Sequence, residues 1–327
     1  MRAWQVSELG EPAAVLRPAE IEVPKPKPGE VQLDVAAASL NFPDVLMCRG
    51  EYQVKPELPF TPGSEVAGTI RALGDGVEDF DVGQRVLAIP QFGHGGFAEQ
   101  TLASAATTYP IPDELDWPAA ASMHITYQTG HLALHHRARL LPGETLLVHA
   151  GAGGVGSAAI QLGLAAGARV FATAGGPEKV EVCRKLGAGE VIDYRAEDFV
   201  QIVKEITAGQ GVDVVYDPVG GDTFDRSRKC IAWEGRLLVI GFTSGRIPEA
   251  PANHVLIKNY AVVGVHWGMY NLLEPERIRH THDDLVALAL EGKIAPLVSE
   301  EISGAELPDA LDRLANRGTW GKVVWRP

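Results

Sequence analysis

Short runs of alternating apolar and polar residues dominate the first third of the chain. They predict β-strands, because every second side chain of a strand faces the same side. The predicted strands are residues 30–38, 65–73 and 85–89. Turn-forming sequences separate them, such as Pro62-Gly63 and Gly74-Asp75-Gly76. We therefore predict an irregular, mostly antiparallel β domain in this part of the chain.

Apolar runs of strand length alternate with helical segments from about Ala119 onward. Strands that alternate with helices in this way form a parallel sheet covered by helices on both faces. After about Met269 the pattern is mixed, and we expect this part to complete the first domain. The predicted fold is α/β, with a β-rich domain at residues 1–122 and 269–327 and a doubly wound parallel-sheet domain at residues 123–268. The predicted strands of the second domain are 144–150, 169–174, 190–194, 212–216, 236–241 and 261–265, and its predicted helices are 157–166, 177–186, 196–208 and about 223–232.

A glycine-rich turn, Gly151-Ala152-Gly153-Gly154-Val155-Gly156, lies between the strand predicted at 144–150 and the helix predicted at 157–166. Glycines at this spacing allow a tight turn and let the backbone approach a pyrophosphate. The start of the helix then offers free N–H groups and a positive dipole end to the anion. Because strand, turn and helix all occur in the required order, we predict a dinucleotide-binding site here.

The end of the second strand of this domain indicates which dinucleotide is bound. Sites that prefer NAD usually place an acid there to hold the ribose 2'-hydroxyl. This strand ends in Ala172-Thr173-Ala174-Gly175-Gly176, without an acid, and Lys179 follows. A missing carboxylate and a nearby cation favour a 2'-phosphate, so the predicted cofactor is NADPH. The alternative is that Lys179 is an ordinary solvated helix residue.

Composition excludes several classes of partner. The net charge of -13 argues against a nucleic-acid partner and against a basic membrane contact. The three cysteines are far apart and form neither a disulfide framework nor a metal-binding pair. The N-terminus has no apolar run, and no stretch of the chain is apolar enough for a transmembrane helix. We expect a cytoplasmic protein without a membrane partner.

Several short motifs together match one family over essentially the whole length of the chain. They are Asn41-Phe42-Pro43-Asp44, Arg49-Gly50-Glu51-Tyr52, Pro62-Gly63-Ser64-Glu65-Val66-Ala67-Gly68, Gly96-Phe97-Ala98-Glu99, the glycine turn and Ala172-Thr173-Ala174. With them the chain resembles the zinc-independent quinone oxidoreductases of the medium-chain dehydrogenase/reductase superfamily. The resemblance implies a GroES-like catalytic domain interrupted by a Rossmann domain. It also implies a homodimer formed by pairing the last Rossmann strand, near Val262 to His266.

The resemblance also implies further cofactor residues. Lys179 and Tyr194 match residues at the 2'-phosphate, and Arg317 matches an arginine that closes over it. Tyr127 matches a tyrosine lining the cofactor cleft. For these positions an ordinary packed or surface residue remains the alternative. The segments expected beside the nicotinamide are Gly241-Phe242-Thr243 and Val265-His266-Trp267.

The residues that hold catalytic zinc in related alcohol dehydrogenases are replaced in this chain. Their cysteine corresponds to Asn41 and their histidine to Ser64, and neither replacement is a usual zinc ligand. The lobe that binds structural zinc is replaced by a short passage around residues 91–96. His131 and His135 share a helical face but lack a third ligand, so we expect no metal site. Without a Lewis acid, simple alcohol oxidation is disfavoured, and the acceptor should already be electrophilic.

Asn41 and Tyr52 are the predicted residues on the substrate side. Asn41, which we also expect to contact the cofactor, can donate from its amide to an acceptor carbonyl, and Tyr52 can donate a hydrogen bond or a proton. The alternatives are a loop residue bonding backbone for Asn41 and a packed aromatic for Tyr52. We expect Glu65 to be structural, bonding the backbone or a neighbouring basic group.

Three functions remain open on this basis. The first is NADPH-dependent reduction of quinones by hydride transfer without zinc. The second is reduction of α,β-unsaturated carbonyls or enoyl thioesters, for which no basic cluster suited to a carrier is evident. The third is NADPH binding without catalysis.

Overall fold

The computed structural model describes all 327 residues of the chain. The chain divides into two compact units. One consists of Met1–Ile125 with Pro296–Pro327, and the other consists of Thr126–Ala295. No helix has both the length and the apolar character needed to cross a bilayer.

The regular structure comprises fourteen strands and eleven α-helices. The strands are β1 (Arg2–Val6), β2 (Leu16–Glu20), β3 (Glu30–Ser39), β4 (Val66–Leu73), β5 (Arg85–Pro90), β6 (Gln100–Pro110), β7 (Thr145–Val148), β8 (Arg169–Ala174), β9 (Glu190–Asp193), β10 (Val212–Asp217), β11 (Ile231–Val239), β12 (Ala261–Gly264), β13 (Val298–Ser303) and β14 (Lys322–Arg326). The helices are α1 (Pro12–Val15), α2 (Phe42–Arg49), α3 (Trp117–His131), α4 (Gly154–Ala165), α5 (Pro177–Lys185), α6 (Phe199–Ile206), α7 (Gly221–Ser227), α8 (Ala252–Lys258), α9 (Trp267–Leu273), α10 (Pro275–Leu290) and α11 (Leu307–Ala315). A π-helical segment, Leu132–Arg137, continues α3.

The first unit is built on a six-stranded sheet in the order β13-β14-β3-β4-β5-β6. All its pairings are antiparallel except β13 with β14, and β3 also pairs with β6, so that β3 to β6 close into a small barrel. Val31 and Leu33 of β3 are fully buried, but Gln32 between them is buried as well, so the predicted alternation is not strict in the structure. The core of the unit lies between this sheet and helices α2 and α11.

The second unit contains a fully parallel six-stranded sheet in the order β12-β11-β10-β7-β8-β9. Its central strand β7 is buried along its whole length, which explains its unbroken apolar run Leu146-Leu147-Val148. In this order β7 and β10 are neighbours although they are not consecutive strands. The strand order therefore reverses beside β7, and ligands of such sheets bind at the carboxyl ends of the strands at this point.

Residues 269–295 belong to the second unit, whereas the sequence pattern assigned them to the completion of the first. Helix α10 buries Ile278 and Leu285 there, and the Gln128 side chain donates to the Ile278 carbonyl at 2.9 Å. The amphipathic period of α10 predicts that one face of the helix is buried. It does not show which of the two units buries that face. The return to the first unit begins at Pro296.

The helix predicted at about 223–232 is also shorter than expected. Helix α7 ends at Ser227, and strand β11 already begins at Ile231. Strand β11 makes parallel pairs with β10 at both of its ends, with Val212 opposite Ile231 and Asp217 opposite Val239. These pairings take the apolar residues at 231 and 232 into the sheet, where local helical preference loses to tertiary packing.

Candidate cofactor turn and active site

The glycine turn joins the buried strand β7 to helix α4 at the carboxyl edge of the parallel sheet. Helix α4 begins at Gly154, and the N-cap is Gly153 in an extended conformation. The N–H of Gly151 donates to the Thr173 carbonyl at 2.9 Å, which fixes the turn to strand β8. The first-turn N–H groups of a helix have no partner within the helix, so this edge offers donors to an anion.

Two glycines of the turn serve different purposes. A Cβ atom at Gly156 would lie 2.1 Å from the Ala150 carbonyl oxygen, so only glycine allows the helix to start this close to the strand. A Cβ at Gly153 would be tight against a single atom, the Ala150 oxygen at 3.3 Å, and would otherwise face open space on this side of the turn. Gly156 is needed for folding, whereas the open backbone at Gly153 fits the approach of a pyrophosphate.

His149, which directly precedes the turn region, is held by two buried side-chain contacts, a role that the sequence did not indicate. Its Nδ1 lies 2.9 Å from Thr173 Oγ1 and its Nε2 lies 2.8 Å from Ser227 Oγ. Complete burial lowers the pKa of His149 to about 3, so the ring is neutral at physiological pH. The neutral imidazole therefore connects the ends of β7, β8 and α7 directly beneath the turn.

Two of the three residues predicted at the 2'-phosphate, Lys179 and Tyr194, lie near the end of β8. Lys179 lies in the first turn of α5, and a Cβ at Gly175 would lie 2.6 Å from the Tyr194 hydroxyl oxygen. The same Cβ would lie 3.0 Å from Nε of Arg195, a cation that the sequence analysis missed. Asp193 accepts hydrogen bonds from the backbone N–H groups of Gly176 and Arg195, both at 3.0 Å, and so holds the two loops together.

The remaining predicted cofactor segments of this unit also follow parallel strands. Gly241-Phe242-Thr243 follows β11, and the N–H and hydroxyl of Thr243 donate to the Pro218 carbonyl. Val265-His266-Trp267 follows β12 and is joined to β11 by the Val265 N–H, which donates to Val239. Both segments therefore lie at the same edge of the sheet as the glycine turn, as their predicted place beside a nicotinamide requires.

Tyr127, which is predicted to line the cofactor cleft, lies in the interior of the second unit. Its side chain is buried, its hydroxyl donates to the Ala295 carbonyl at 3.1 Å, and it accepts from the Gln161 amide at 2.8 Å. Burial raises the pKa of Tyr127 well above its usual value. A hydroxyl engaged in this way within the second unit matches the alternative of a packed helix residue.

Arg317 belongs to the first unit, where it follows helix α11. Its side chain is exposed and its backbone is in the left-handed region, with a φ of 59°. Its N–H donates to the Leu314 carbonyl at 3.1 Å and so closes the end of the helix. Its closure over a phosphate remains a prediction.

A buried polar cluster occupies the position in the first unit that corresponds to the zinc site of related enzymes. At its centre is the ammonium group of Lys322, whose side chain is only 5% exposed. Lys322 Nζ donates to Asn41 Oδ1 at 2.6 Å and to the Leu40 carbonyl at 3.0 Å, and it lies 3.5 Å from Glu65 Oε2. Burial lowers the pKa of Lys322, while Glu65 and Asp44 act in the opposite direction.

The amide of Asn41 has partners within the first unit, and its donation to an acceptor remains a prediction. Its Nδ2 donates to the Ser39 carbonyl at 3.1 Å and to Glu65 Oε2 at 3.2 Å, so both amide hydrogens have partners inside the unit. Glu65 has the structural role expected of it, because it also accepts from the Ile125 N–H at 2.9 Å and the Ser39 hydroxyl at 2.7 Å. Asn41 therefore stabilises the interior of the first unit through these hydrogen bonds.

Asp44 is the second residue of this cluster that the sequence analysis left without a role. It is fully buried and accepts four hydrogen bonds, from the N–H groups of Asn41, Gly63 and Ser64 and from the Ser64 hydroxyl. Burial nevertheless raises its pKa to about 6. Asp44 thus joins the two positions, Asn41 and Ser64, at which zinc enzymes of the superfamily have ligands.

Tyr52 follows helix α2 and is half-buried against the core of the first unit. Its N–H donates to the Leu46 carbonyl at 3.2 Å, so it is attached to the last turn of the helix. Burial, assisted by the charge of Asp44, raises the pKa of Tyr52. Its hydroxyl is therefore protonated at neutral pH and able to donate a hydrogen bond.

The paired histidines show no features of a metal centre. The ring centroids of His131 and His135 lie 4.5 Å apart with the rings tilted by 53°, and His131 Nε2 lies 3.7 Å from Asp284 Oδ2. Burial, together with the neighbouring ring, lowers the pKa of His131 to about 4, so its contact with Asp284 is not an ion pair at neutral pH. No three His, Cys, Asp or Glu side chains of the chain are grouped so that they could hold a metal ion.

Comparison with known proteins places this chain in a family. The family model described as alcohol dehydrogenase GroES-like domain matches residues 27–113, and the one described as zinc-binding dehydrogenase matches residues 154–286. The quinone oxidoreductase-like protein 2 homolog of Nematostella vectensis is 38% identical, over 99% of this chain and 88% of that protein. The chain belongs to the quinone oxidoreductase branch of the medium-chain dehydrogenase/reductase superfamily. The family and the fold predicted from the sequence are thereby confirmed.

Solved structures of this superfamily share the fold over the full chain. Escherichia coli quinone oxidoreductase complexed with NADPH is 30% identical, with a TM-score of 0.93 and 100% of both chains covered. The CurK enoyl reductase is 29% identical, with a TM-score of 0.88 and coverage of 99% of this chain and 98% of that chain.

The zinc implied by one family description does not fit the residues of this oxidoreductase. Asn41 has its amide engaged with Ser39 and Glu65, and the Ser64 hydroxyl donates to Asp44 at 2.6 Å. An ammonium group lies beside Asn41 where a divalent cation would need electron-pair donors. A dinucleotide, by contrast, fits the open backbone at Gly153 and the groups around Gly175.

The two turn glycines allow folding and binding to be tested separately. Gly156→Ala forces a Cβ against the Ala150 oxygen, and we expect a loss of about 1–3 kcal/mol in stability and a lower Tm. Gly153→Ala should leave the Tm close to that of the wild type but weaken NADPH binding about tenfold or more, because its Cβ points to the open side. Thermal unfolding and titration calorimetry measure the two effects. Unchanged NADPH affinity in Gly153→Ala would show that the turn does not hold the pyrophosphate.

Proposed function

We propose that this oxidoreductase uses NADPH to reduce quinones and that it does so without zinc. The observation that carries the proposal is the cluster around Lys322, in which both residues at the zinc-ligand positions already have buried partners. Asn41 is bonded to Glu65 and to the Lys322 ammonium, and Ser64 is bonded to Asp44. Without a Lewis acid to stabilise an alkoxide, an already electrophilic acceptor is favoured. The similarity to quinone oxidoreductases supports a quinone as that acceptor.

The parts of the chain have the following roles in this proposal. NADPH, when bound, supplies the hydride. The backbone of Gly151 to Gly156 holds its pyrophosphate, and Lys179, Tyr194 and Arg195 surround its 2'-phosphate. Tyr52 donates a hydrogen bond to the acceptor oxygen, on which negative charge develops. The proton that completes the hydroquinone comes from Tyr52 or from solvent.

Reduction of an enone or enoyl thioester is the second candidate. It is favoured by the likeness to the CurK enoyl reductase and by the protonated hydroxyl of Tyr52. This reaction requires a proton on carbon as well as a hydride, so it depends more strongly on a positioned acid than quinone reduction does.

Steady-state oxidation of NADPH with 1,2-naphthoquinone, a trans-2-enal and crotonyl-CoA separates these functions. We expect turnover with the quinone, retained within about threefold in Tyr52→Phe because solvent can protonate a hydroquinone, and unaffected by dialysis against a chelator. Preferred turnover of the enal or the thioester, with a loss of 10²-fold or more in Tyr52→Phe, would support the second candidate instead. Tight NADPH binding without oxidation by any acceptor would contradict both enzyme functions, and activity that requires added zinc would contradict the metal-free site.

Lys179 provides the test of cofactor choice. Lys179→Ala should weaken NADPH by about 10–100-fold, because a charge-assisted hydrogen bond contributes roughly 1.5–3 kcal/mol, and it should leave NADH nearly unchanged. Lys185→Ala, at the other end of helix α5, is the matched control and should change neither affinity. Equal losses for both nucleotides in Lys179→Ala would refute its contact with the phosphate.

We further propose that two copies of the chain pair through strand β12. This strand is the edge of the parallel sheet, so its outer N–H and C=O groups lack a strand partner within the unit. Apolar side chains are strongly exposed on helices α8 and α9, which flank it in sequence. They are Leu256, Ile257, Leu272 and Leu273, each at least 70% exposed.

The dimer proposal is tested by placing charge on this surface. Leu256→Glu with Ile257→Glu should convert a dimer into a monomer in light scattering coupled to size exclusion, because two carboxylates cannot be buried unpaired. Leu141→Glu alters a residue that is 60% exposed elsewhere on the same unit and should leave the dimer intact. A wild-type protein of single-chain mass would contradict the pairing.

A reducing, cytoplasmic location is also proposed. Cys48, Cys183 and Cys230 are all buried free thiols. Burial raises the pKa of each of them to about 12, which keeps them protonated and unreactive. Because all three cysteines are buried free thiols, the protein has no disulfide bond that an oxidising compartment would maintain.

A further inference from the structure

Helix α2 connects the buried cluster to the residue proposed to face the acceptor. Asn41 precedes the first residue of the helix, and Tyr52 follows its last turn. At the far end, the N–H groups of Glu51 and Tyr52 both donate to the Leu46 carbonyl, so the position of Tyr52 depends on the helix. A displacement of the start of α2 would therefore be transmitted to Tyr52.

Lys322 holds the start of this helix from another part of the chain. It is the first residue of β14, and β14 pairs with β3 through Val324 and Ser39. The Leu40 N–H then donates to the Val323 carbonyl at 2.9 Å, and the Lys322 ammonium reaches both Leu40 and Asn41. The backbone that leads into α2 is thus held by strand pairing. The side chain of Asn41, which directly precedes the helix, is held by the buried ammonium group of Lys322.

The distances show which partner Lys322 contacts most directly. Nζ lies 2.6 Å from Asn41 Oδ1 but 3.5 Å from the Glu65 carboxylate, so the closest contact is with the amide. Glu65 in turn accepts from the other end of the same amide at 3.2 Å. Asn41 is therefore held on its oxygen by a cation and on its nitrogen by an anion, which allows one orientation of the amide.

We propose that Lys322 is a positioning residue, whose ammonium group fixes Asn41 and through it helix α2 and Tyr52. This inference rests on the proposed role of Tyr52 in acceptor reduction. A different reading is that Lys322 only neutralises Glu65. That reading predicts loss of stability without a specific effect on α2 or on turnover by the folded protein.

Hydrogen exchange of the holoenzyme tests the structural part without any assay of activity. In Lys322→Met, the amides of residues 42–52 should exchange at least tenfold faster than in the wild type, while β10 in the other unit stays protected. Lys322→Arg, which keeps the charge and the donors, should restore the protection of α2. Lys293→Met, at an exposed lysine, is the control for the substitution itself. Unchanged exchange in α2, or faster exchange that is uniform over the chain, would overturn the proposal.

A double-mutant cycle tests the functional part with an acceptor that the wild type reduces. Lys322→Met and Asn41→Ala should each lower kcat/KM of the folded protein about tenfold or more. The double variant should be no worse than the worse single one, because both changes release the same helix. Losses that multiply, or a lower Tm with unchanged kcat/KM, would overturn the role of Lys322. A wild type without turnover would instead show that the proposed function has failed, and the exchange experiment then still decides the inference.

A further variant covers the case in which Lys322→Met does not fold. Lys322→Met with Glu65→Gln removes the ammonium together with the Glu65 carboxylate, so that neither of these two is left as an unpaired ion, while Asp44 keeps its four hydrogen bonds. If Lys322 only neutralises Glu65, this pair should regain the kcat/KM and the exchange protection of Glu65→Gln alone. If Lys322 positions Asn41, both quantities should remain about tenfold worse than in Glu65→Gln.

Discussion

Lys322 cannot be buried without partners, and two segments of the first unit that are far from it in sequence provide them. Removing an ammonium ion from water is very unfavourable unless its donors are satisfied and its charge is balanced. The Leu40 carbonyl and the Asn41 amide satisfy two donors, and Glu65 balances the charge. Because these groups come from the ends of β3, β4 and β14, the cluster forms only when the sheet that pairs β14 with β3 and β3 with β4 is in register.

The second unit depends on close approach of neutral groups instead of on buried charge. Gly156 lets helix α4 start against the backbone of the preceding turn, where any side chain would collide with the Ala150 oxygen. His149 lies beneath the turn as a neutral ring, joined to Thr173 and Ser227. A site for an anionic cofactor built in this way offers backbone donors and a helix dipole, while its cations come from the loops around Gly175.

Local patterns in the sequence were sufficient for part of this structure. The parallel sheet and the glycine turn could be predicted because both are encoded in contiguous residues with a fixed period or spacing. The burial of Lys322 could not be predicted, since its partners are more than 250 residues away in the chain. A lysine is also normally an exposed residue. Arg195 was missed because its position beside Gly175 depends on how β9 aligns with β8. The assignment of residues 269–295 failed for a similar reason, because periodicity shows that α10 is amphipathic but not which unit it packs against.

An ammonium ion at this place can take over the positioning role of a metal but not its chemistry. Its three donors face Leu40, Asn41 and Glu65, so none remains for a substrate oxygen, and it has no vacant orbital with which to polarise one. In the proposed reaction, Tyr52 or solvent assists the acceptor. Since burial raises the pKa of Tyr52, its hydroxyl stays protonated and can donate a hydrogen bond, but it is a weak acid. Such a site is better suited to an acceptor that gains aromaticity as it accepts the hydride, as a quinone does, than to one that needs forceful activation.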